Sequence, residues 1–484
     1  MDMNEKYEIV VGLETHAELN TKTKILCSCK NEFGGLVNAN CCPICTGMPG
    51  TLPTLNQEVV YSAIKMGQAC GCTIHNVCKQ DRKNYFYPDL PKAYQISQFD
   101  VPLCENGWLD VMLDDEGTTK RIGVTRIHIE EDAGKLIHGD AFSGSLVDYN
   151  RCGVPLIEIV SEPDMRSSAE AKAYLDTIKS ILQYLDISDC KMQEGSIRCD
   201  VNVSVHPKGS EKFGTRVEMK NVNSFSAVMR AIDYEAARQI AVLEAGGEIH
   251  QETRRWDDLK GENIVLRTKE DAQDYRYFPE PDLLTIVVPE EKVRELADSL
   301  PELPNVRCKR FMEQYGLPRF DANLLVENRI RGELFEKAVG FGASAKAAAN
   351  WLNGDVARLL GERNVELEMT KLTAEKLAAM VAAIEKKTIS NTAGKTVIEE
   401  VMFEDKTVED VIREKGLAQI SDEGALRETA EQVLSANEKA VADYRAGKTN
   451  VLGFLVGQCM RASKGKGNPE LFRSILTDFL NKMN

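Results

Sequence analysis

Two hydrophobic periods divide the chain. Up to about residue 290 apolar and polar positions alternate in short runs broken by Gly, Pro and Asn, the pattern of strands joined by turns. In KYEIVVGLETHAEL, residues 6–19, a period of two puts Glu14, His16 and Glu18 on one face and Leu13, Ala17 and Leu19 on the other. GSIRCDVNVSVHP sets Ser196, Arg198, Asp200, Asn202 and Ser204 against Ile197, Cys199, Val201, Val203 and Val205. TRVEMK aligns Arg216, Glu218 and Lys220, and RIGVTRIHIEED aligns Arg126, His128 and Glu130. Parity fails at the end of that last run and leaves the direction of Glu131 open.

Two helices interrupt the strands. One follows Ser167-Ser-Ala-Glu170, a capping-box sequence, with Leu175, Ile178, Ile181, Leu182 and Leu185 on one stripe. The other runs from about Ser226 through Ile232, Ala236, Ile240 and Leu243 to a stop at Gly246-Gly247. From Val293 onward the text is rich in Ala, Leu, Glu and Lys and almost every segment has a helical period. The pattern predicts an α+β chain: an N-terminal antiparallel-sheet domain (1–292), an all-α helical domain (293–408) and a small helical C-terminal tail domain (409–484).

Charge narrows the function. A formal net charge of −15 over 484 residues argues against non-specific coating of nucleic acid, so any RNA contact must be local. The most concentrated basic site is MRASKGKGNPELFRSIL, with Lys464, Lys466 and Arg473. Neither a secretory leader nor an uncharged apolar run of about 18 residues is present, which points to the cytoplasm and away from membranes.

In that reducing compartment the 14 cysteines read as free or metal-bound thiols. Five lie in CSCKNEFGGLVNANCCPIC, residues 27–45. Cys27, Cys29, Cys42 and Cys45 form C-x-C followed by C-x2-C, which suits a structural zinc with four thiolates; unmetallated thiols and an iron–sulfur cluster are the alternatives. A metal with four protein ligands has no open position and would brace a loop. Cys104, Cys152, Cys199, Cys308 and Cys459 lack an activating signature and read as core. No phosphate-loop, dinucleotide-binding or nucleophile-elbow motif occurs.

A single strand with one polar face is ordinarily a wet sheet surface. Four such strands carrying His, Glu, Asp, Arg and Lys suit hard-cation ligation by oxygen together with phosphate contacts by Arg and Lys. Spacing alone does not bring them together.

Eight segments carry a family resemblance: GLETHAEL, DRKNYFYPDLPKAYQISQFD, TRIHIEEDAGK, VDYNRCGVPLIEIVSEPD, EGSIRCDVNVSV, EMKNVNSF, QETRRWDD and DYRYFPEPDL. In this order the chain resembles the B subunits of bacterial-type aspartyl/glutamyl-tRNA amidotransferases. The resemblance implies a cradle domain, a helical domain and a tail that contacts tRNA. It also implies a glutamine-dependent ligase forming a carbon–nitrogen bond. ATP phosphorylates the side-chain carboxylate of Glu or Asp misattached to tRNA(Gln) or tRNA(Asn), and ammonia displaces the phosphate. An amidase-type A subunit supplies the ammonia and a small C subunit completes a heterotrimer.

The resemblance carries roles onto residues of this sequence. Glu14, His16, Glu131 and Asp200 are the implied Mg²⁺ ligands, with Lys83 and Lys92 on the substrate path. Glu130, Glu158, Arg198, Glu218 and Lys220 are further candidates for ATP, metal or substrate contacts. Arg461, Lys464, Lys466 and Arg473 are implied to meet the tRNA backbone. The doubled Cys41-Cys42 departs from the family form, in which an ordinary residue precedes C-P-x-C, and leaves the assignment of Cys41 open. Two competing readings are a non-catalytic tRNA-binding scaffold and a free-standing ATP-dependent carboxylate–amine ligase.

Overall fold

Alternation forms the strands, and the apolar half of each strand decides what covers the sheet. The computed structural model describes residues 6–482 apart from 115, 139–143, 193, 269–273, 420–422, 446–447 and 464–466. Its strands are β1 (Tyr7–Glu18), β2 (Thr73–Ile74), β3 (Val77–Cys78), β4 (Asp81–Asn84), β5 (Tyr94–Ser97), β6 (Cys104–Met112), β7 (Thr119–Glu131) and β8 (Lys135–His138). They continue as β9 (Ser145–Asp148), β10 (Pro155–Ser161), β11 (Ile197–Pro207), β12 (Val217–Val222), β13 (Glu252–Asp257), β14 (Glu262–Thr268), β15 (Phe278–Pro279) and β16 (Ile286–Val287).

Nine of them make one sheet, in the order β14-β13-β12-β11-β1-β10-β7-β6-β2. Every pair in it is antiparallel except β12–β13, which is parallel. A parallel pair needs a long crossover, and helix α3 (Phe225–Glu244) supplies it. Helices α1 (Gln57–Ala69) and α2 (Ser168–Tyr184) join α3 against the sheet, and the three share one apolar cluster with Leu13, Ala17, Ile127, Ile129, Ile157, Ile159, Val201 and Val203. Leu13, Ala17, Ile127, Ile129, Val201 and Val203 alternate with the polar positions of their strands, as the sequence pattern predicts. The opposite face is left for polar groups.

Local chemistry sets the helix ends. Ser167 Oγ accepts the Glu170 N–H at 3.1 Å, while the Glu170 carboxylate accepts the Arg166 N–H at 2.6 Å and Lys120 Nζ at 2.7 Å. The reciprocal arm of the capping box thus falls one residue before the cap. Ser224 caps α3 through the Ala227 N–H. Beyond α3, Gly247 N–H donates to the Val242 carbonyl and Gly246 N–H to that of Leu243, a Schellman ending that requires the left-handed Gly246, φ +77°.

The chain divides into two compact units, Met1–Lys309 and Arg310–Asn484. Among the described residues, every named element that lies in the second unit is helical. Within it Leu426, Ala430, Leu434, Leu455, Cys459, Phe472 and Leu476 form a cluster of their own, built from helices Glu423–Ala436, Val451–Ala462 and Pro469–Lys482. No helix among the described residues is long and apolar enough to cross a membrane.

Ile178 on α2 is fully buried in the main cluster. Ile178→Ala is expected to lower the stability of the first unit by about 2–5 kcal/mol, measured as a shift of its denaturant midpoint at unchanged slope.

Candidate functional site

Register decides which polar groups meet. β1 lies between β10 and β11, with His16 opposite Glu158 on one side and Arg198 on the other, and Glu14 opposite Asp200. β10 sets Glu158 opposite His128 of β7, and β11 sets Asn202 opposite Glu218 of β12. The four polar-faced strands are therefore near neighbours in one sheet, with β10 the single strand interposed.

Two carboxylates and two imidazoles interlock in the first group. His16 Nε2 is 3.4 Å from Glu130 Oε1 and 3.6 Å from Glu158 Oε2, and His128 Nε2 is 3.2 Å from the same Glu158 oxygen and 3.7 Å from Glu130 Oε2. Ser97 Oγ donates to Glu130 at 3.3 Å. Burial opposes charge on His16, but the hydrogen bond and charge of Glu158, followed by Glu130 and Asp200, raise its pKa to about 9. His128 is likewise raised against its burial by Glu158 and Glu130. Burial opposes ionisation of Glu158 and Glu130 too, yet the imidazoles hold Glu158 well below the usual carboxylate range and lower Glu130. Each imidazole thus raises the acidity of the carboxylates it touches, and each carboxylate raises the basicity of the imidazoles.

Three acids form the second group. Lys220 Nζ lies 2.5 Å from Asp200 Oδ2 and 3.1 Å from Glu218 Oε1, Thr253 Oγ1 donates to Glu218 at 2.8 Å, and Asn202 donates to Glu14 Oε1 at 3.0 Å. Burial, then the charges of Glu158, Asp200 and Glu218, push the Glu14 carboxyl up. In each triad, His16–Glu130–Glu158 and Glu14–Asp200–Glu218, one ligand atom per residue lies within 4.8 Å of the others, close enough to share a metal ion.

Glu131 belongs to neither triad. It ion-pairs with Lys92 and accepts the Ile96 N–H at 2.9 Å. Lys83 points over aromatic rings, its Nζ 5.0 Å from the Tyr275 ring centre and 5.9 Å from that of Tyr85. Burial works against its charge, and Glu130, Tyr277 and Glu158 raise its pKa regardless. Arg198 turns toward Asp132, with its Nη2 2.5 Å from Oδ2. Sequence reasoning set His128 on the right face but gave it no role, and passed over Asp132. The parity of His128 with Glu130 was the available signal; nothing in the spacing links Asp132 to Arg198, 66 residues away.

Cys27, Cys29, Cys42 and Cys45 gather at the other candidate centre, their sulfurs within 4.8 Å of one another. Cys42 and Cys45 Sγ are 3.9 Å apart, close to the edge of about 3.8 Å that a tetrahedron with Zn–S bonds of ≈ 2.3 Å requires. The Cys42 N–H donates to Cys45 Sγ at 3.0 Å. The bond from Cys27 lowers the Cys45 pKa to about 5 against its burial, whereas burial and Cys42 raise Cys29 to about 11. Cys41 stays outside, its thiol donating to the Asn38 carbonyl at 3.3 Å.

Of the basic tail residues, Arg461 and Arg473 are exposed on two helices that pack together, Val451–Ala462 and Pro469–Lys482. Lys464 and Lys466 lie outside the described residues.

Residues 9–294, which hold both triads and the thiols, match the GatB/GatE catalytic domain, and residues 333–480 match the GatB domain. The B subunit of the aspartyl/glutamyl-tRNA(Asn/Gln) amidotransferase of Caldicellulosiruptor bescii is 54% identical over 99% of this chain and all of its own length. Its counterparts in Thermoanaerobacter pseudethanolicus and Clostridium botulinum are 54% and 48% identical over the same shares. The chain belongs to this family of B subunits. For a member of the family, the second match also covers Arg461 and Arg473.

The thiol geometry makes a test between neighbours. Metal analysis of chain prepared with zinc is expected to find about one ion per chain in the wild type and in Cys41→Ser, and loss of the ion in Cys42→Ser. Retention in Cys42→Ser with loss in Cys41→Ser would reverse the assignment.

Proposed function

We propose that this chain activates and amidates the side-chain carboxylate of Glu or Asp carried by tRNA(Gln) or tRNA(Asn). The carboxylate oxygen attacks the γ-phosphorus of ATP and ADP leaves; ammonia then attacks the acyl carbon and phosphate leaves. A free carboxylate is a poor electrophile at neutral pH, so the acyl phosphate supplies the missing leaving group. Glutamine hydrolysed on an amidase-type A subunit would furnish the ammonia, and a small C subunit would hold the assembly together.

The observation that carries this reading is the pair of triads side by side on one sheet face. Glu14, Asp200 and Glu218 offer the oxygen ligands that Mg²⁺ favours, and His16, Glu130 and Glu158 offer a second set. Mg²⁺ bound there would neutralise charge gathering on the transferring phosphoryl group. Lys220, now against Asp200 and Glu218, and Lys83, in its ring of tyrosines, are the cations nearest to hand for phosphate oxygens. His16 holds its proton between two carboxylates and would give it up on taking a metal. The Lys92–Glu131 pair is suited to passing ammonia as ammonium and releasing it by proton transfer. Cys27, Cys29, Cys42 and Cys45 would hold zinc, which with four protein ligands is a brace and not a reaction centre.

Arg461 and Arg473 suit contacts to tRNA phosphates without base reading. That division of roles yields two expected outcomes. In the complex reconstituted with A and C subunits, Asp200→Ala should lower amidation kcat by about 10²–10³-fold, the scale of losing one preorganised electrostatic group, with tRNA affinity unchanged; near-normal turnover would support a scaffold role instead. Arg461→Ala with Arg473→Ala should weaken tRNA binding and flatten its salt dependence by a slope of about one for each arginine removed, with kcat at saturating tRNA retained; equal affinity in filter binding would remove both arginines from the interface.

A further inference from the structure

Lys24 is wholly buried, with 0% of its surface exposed, and sits in TKTKILC shortly before the first ligand thiol. Lysine is almost never fully buried unless paired, because an ammonium stripped of water needs hydrogen bonds and an opposite charge. The hydrogen bond is present: Nζ donates to the Asn40 carbonyl at 2.8 Å. Among the described residues no carboxylate forms an ion pair with it; the nearest anionic candidate is the thiol cluster, with Cys45 Sγ 3.8 Å from Nζ.

The surrounding backbone is shaped to keep it there. Lys24 N–H donates to the Cys29 carbonyl at 3.0 Å, and the next residue, Ile25, donates to Gly153 at 2.9 Å. Gly153 has φ +77°, and a Cβ there would lie 3.8 Å from Lys24 Cδ and 3.4 Å from Cys45 Cβ. The lysine stem and the cysteine thus flank the same backbone turn.

We infer that Lys24 is the built-in counter-charge of the four-thiolate centre, a positioning residue that stabilises the doubly negative tetrathiolate–zinc unit from inside the fold. Four thiolates and Zn²⁺ leave a net charge of −2 in a partly buried loop, and one fixed ammonium at hydrogen-bond distance halves it. The same logic explains why the charge is tolerated at all, since breaking a buried pair by removing one partner leaves the other uncompensated. This rests on the zinc reading of the cysteines given above.

The test uses the full-length chain loaded with zinc. Competition with a chromogenic chelator should show zinc held about 10- to 100-fold more weakly in Lys24→Met, the usual cost of losing an outer partner of a metal ligand, and held near the wild-type level in Lys24→Arg. Wild-type affinity in Lys24→Met would overturn the inference, and a wild type that takes up no zinc would overturn the zinc reading instead. A second arm, independent of metal affinity, compares thermal midpoints in two backgrounds. Lys24→Met should lower the midpoint where the cysteines are intact and raise it, or leave it unchanged, in a Cys42→Ser/Cys45→Ser background, where the ammonium has lost its partner. Equal losses in both backgrounds would reduce Lys24 to a packing residue and overturn the counter-charge role.

Discussion

The register of β1 between β10 and β11 is the constraint on which the site depends. Side chains alternate along a strand, so a slip of one residue would carry Glu14 and His16 through the sheet into the cluster under α1, α2 and α3, and bring Leu13 and Ala17 out. Burying the apolar half is strongly favourable, and burying the charged half in that cluster would be prohibitive. The core therefore sets the register, and the register sets the chemistry. Eleven consecutive residues of β1, Tyr7 to Ala17, pair with β11 without interruption, whereas irregularities fall at Val160/Ser161 of β10 and Cys199/Val201 of β11, beside the polar rows.

Charge on the polar half is balanced in two different ways. In the His16 group, the imidazoles of His16 and His128 lie against Glu130 and Glu158, and the four groups hold one another. In the Glu14 group, Lys220 pairs with Asp200 and Glu218, while Glu14 accepts from the neutral amide of Asn202, and its burial and the neighbouring carboxylates push its pKa up. Three carboxylates gathered within reach of one point are a donor set that suits a hard divalent cation. In the first group a cation would compete with protons for imidazoles whose pKa is raised, so binding there would be tied to pH. The two neighbouring triads therefore differ in ligand type, one with an imidazole and two carboxylates and the other with three carboxylates.

Much of this was legible in the sequence, because parity is a local property. Glu14, His16, Glu130, Asp200 and Glu218 stand on the face that alternation assigns them, and the helix ends at Ser167 and Gly246-Gly247 follow their caps. What alternation does not encode is strand order. The place of β10 between β1 and β7, which puts Glu158 between two histidines, joins segments more than a hundred residues apart. Glu131 was ambiguous for a physical reason: it is the last residue of its strand, and the Lys92 ammonium with the Ile96 amide decides its direction. The parallel β12–β13 pair escaped a pattern that reads strands one at a time, and only the intervening α3 makes it possible.

The two kinds of candidate metal centre differ in the number of ligands, and that difference assigns their work. Four thiols brought together from C-x-C and C-x2-C fill a tetrahedron, so an ion there meets nothing from solution and serves to tie the 27–45 loop to itself. Each sheet triad supplies three side chains, short of the six that a small hard cation takes, and so leaves positions for water or phosphate oxygen. Softness points the same way, since thiolates retain zinc while carboxylates exchange magnesium with its nucleotide. On the proposed reading, a closed sulfur centre and an open oxygen centre would divide holding shape from handling charge. The acidic balance of the whole chain reinforces that division, because a net charge of −15 leaves a polyanionic partner no general attraction and confines favourable contact to a few fixed cations.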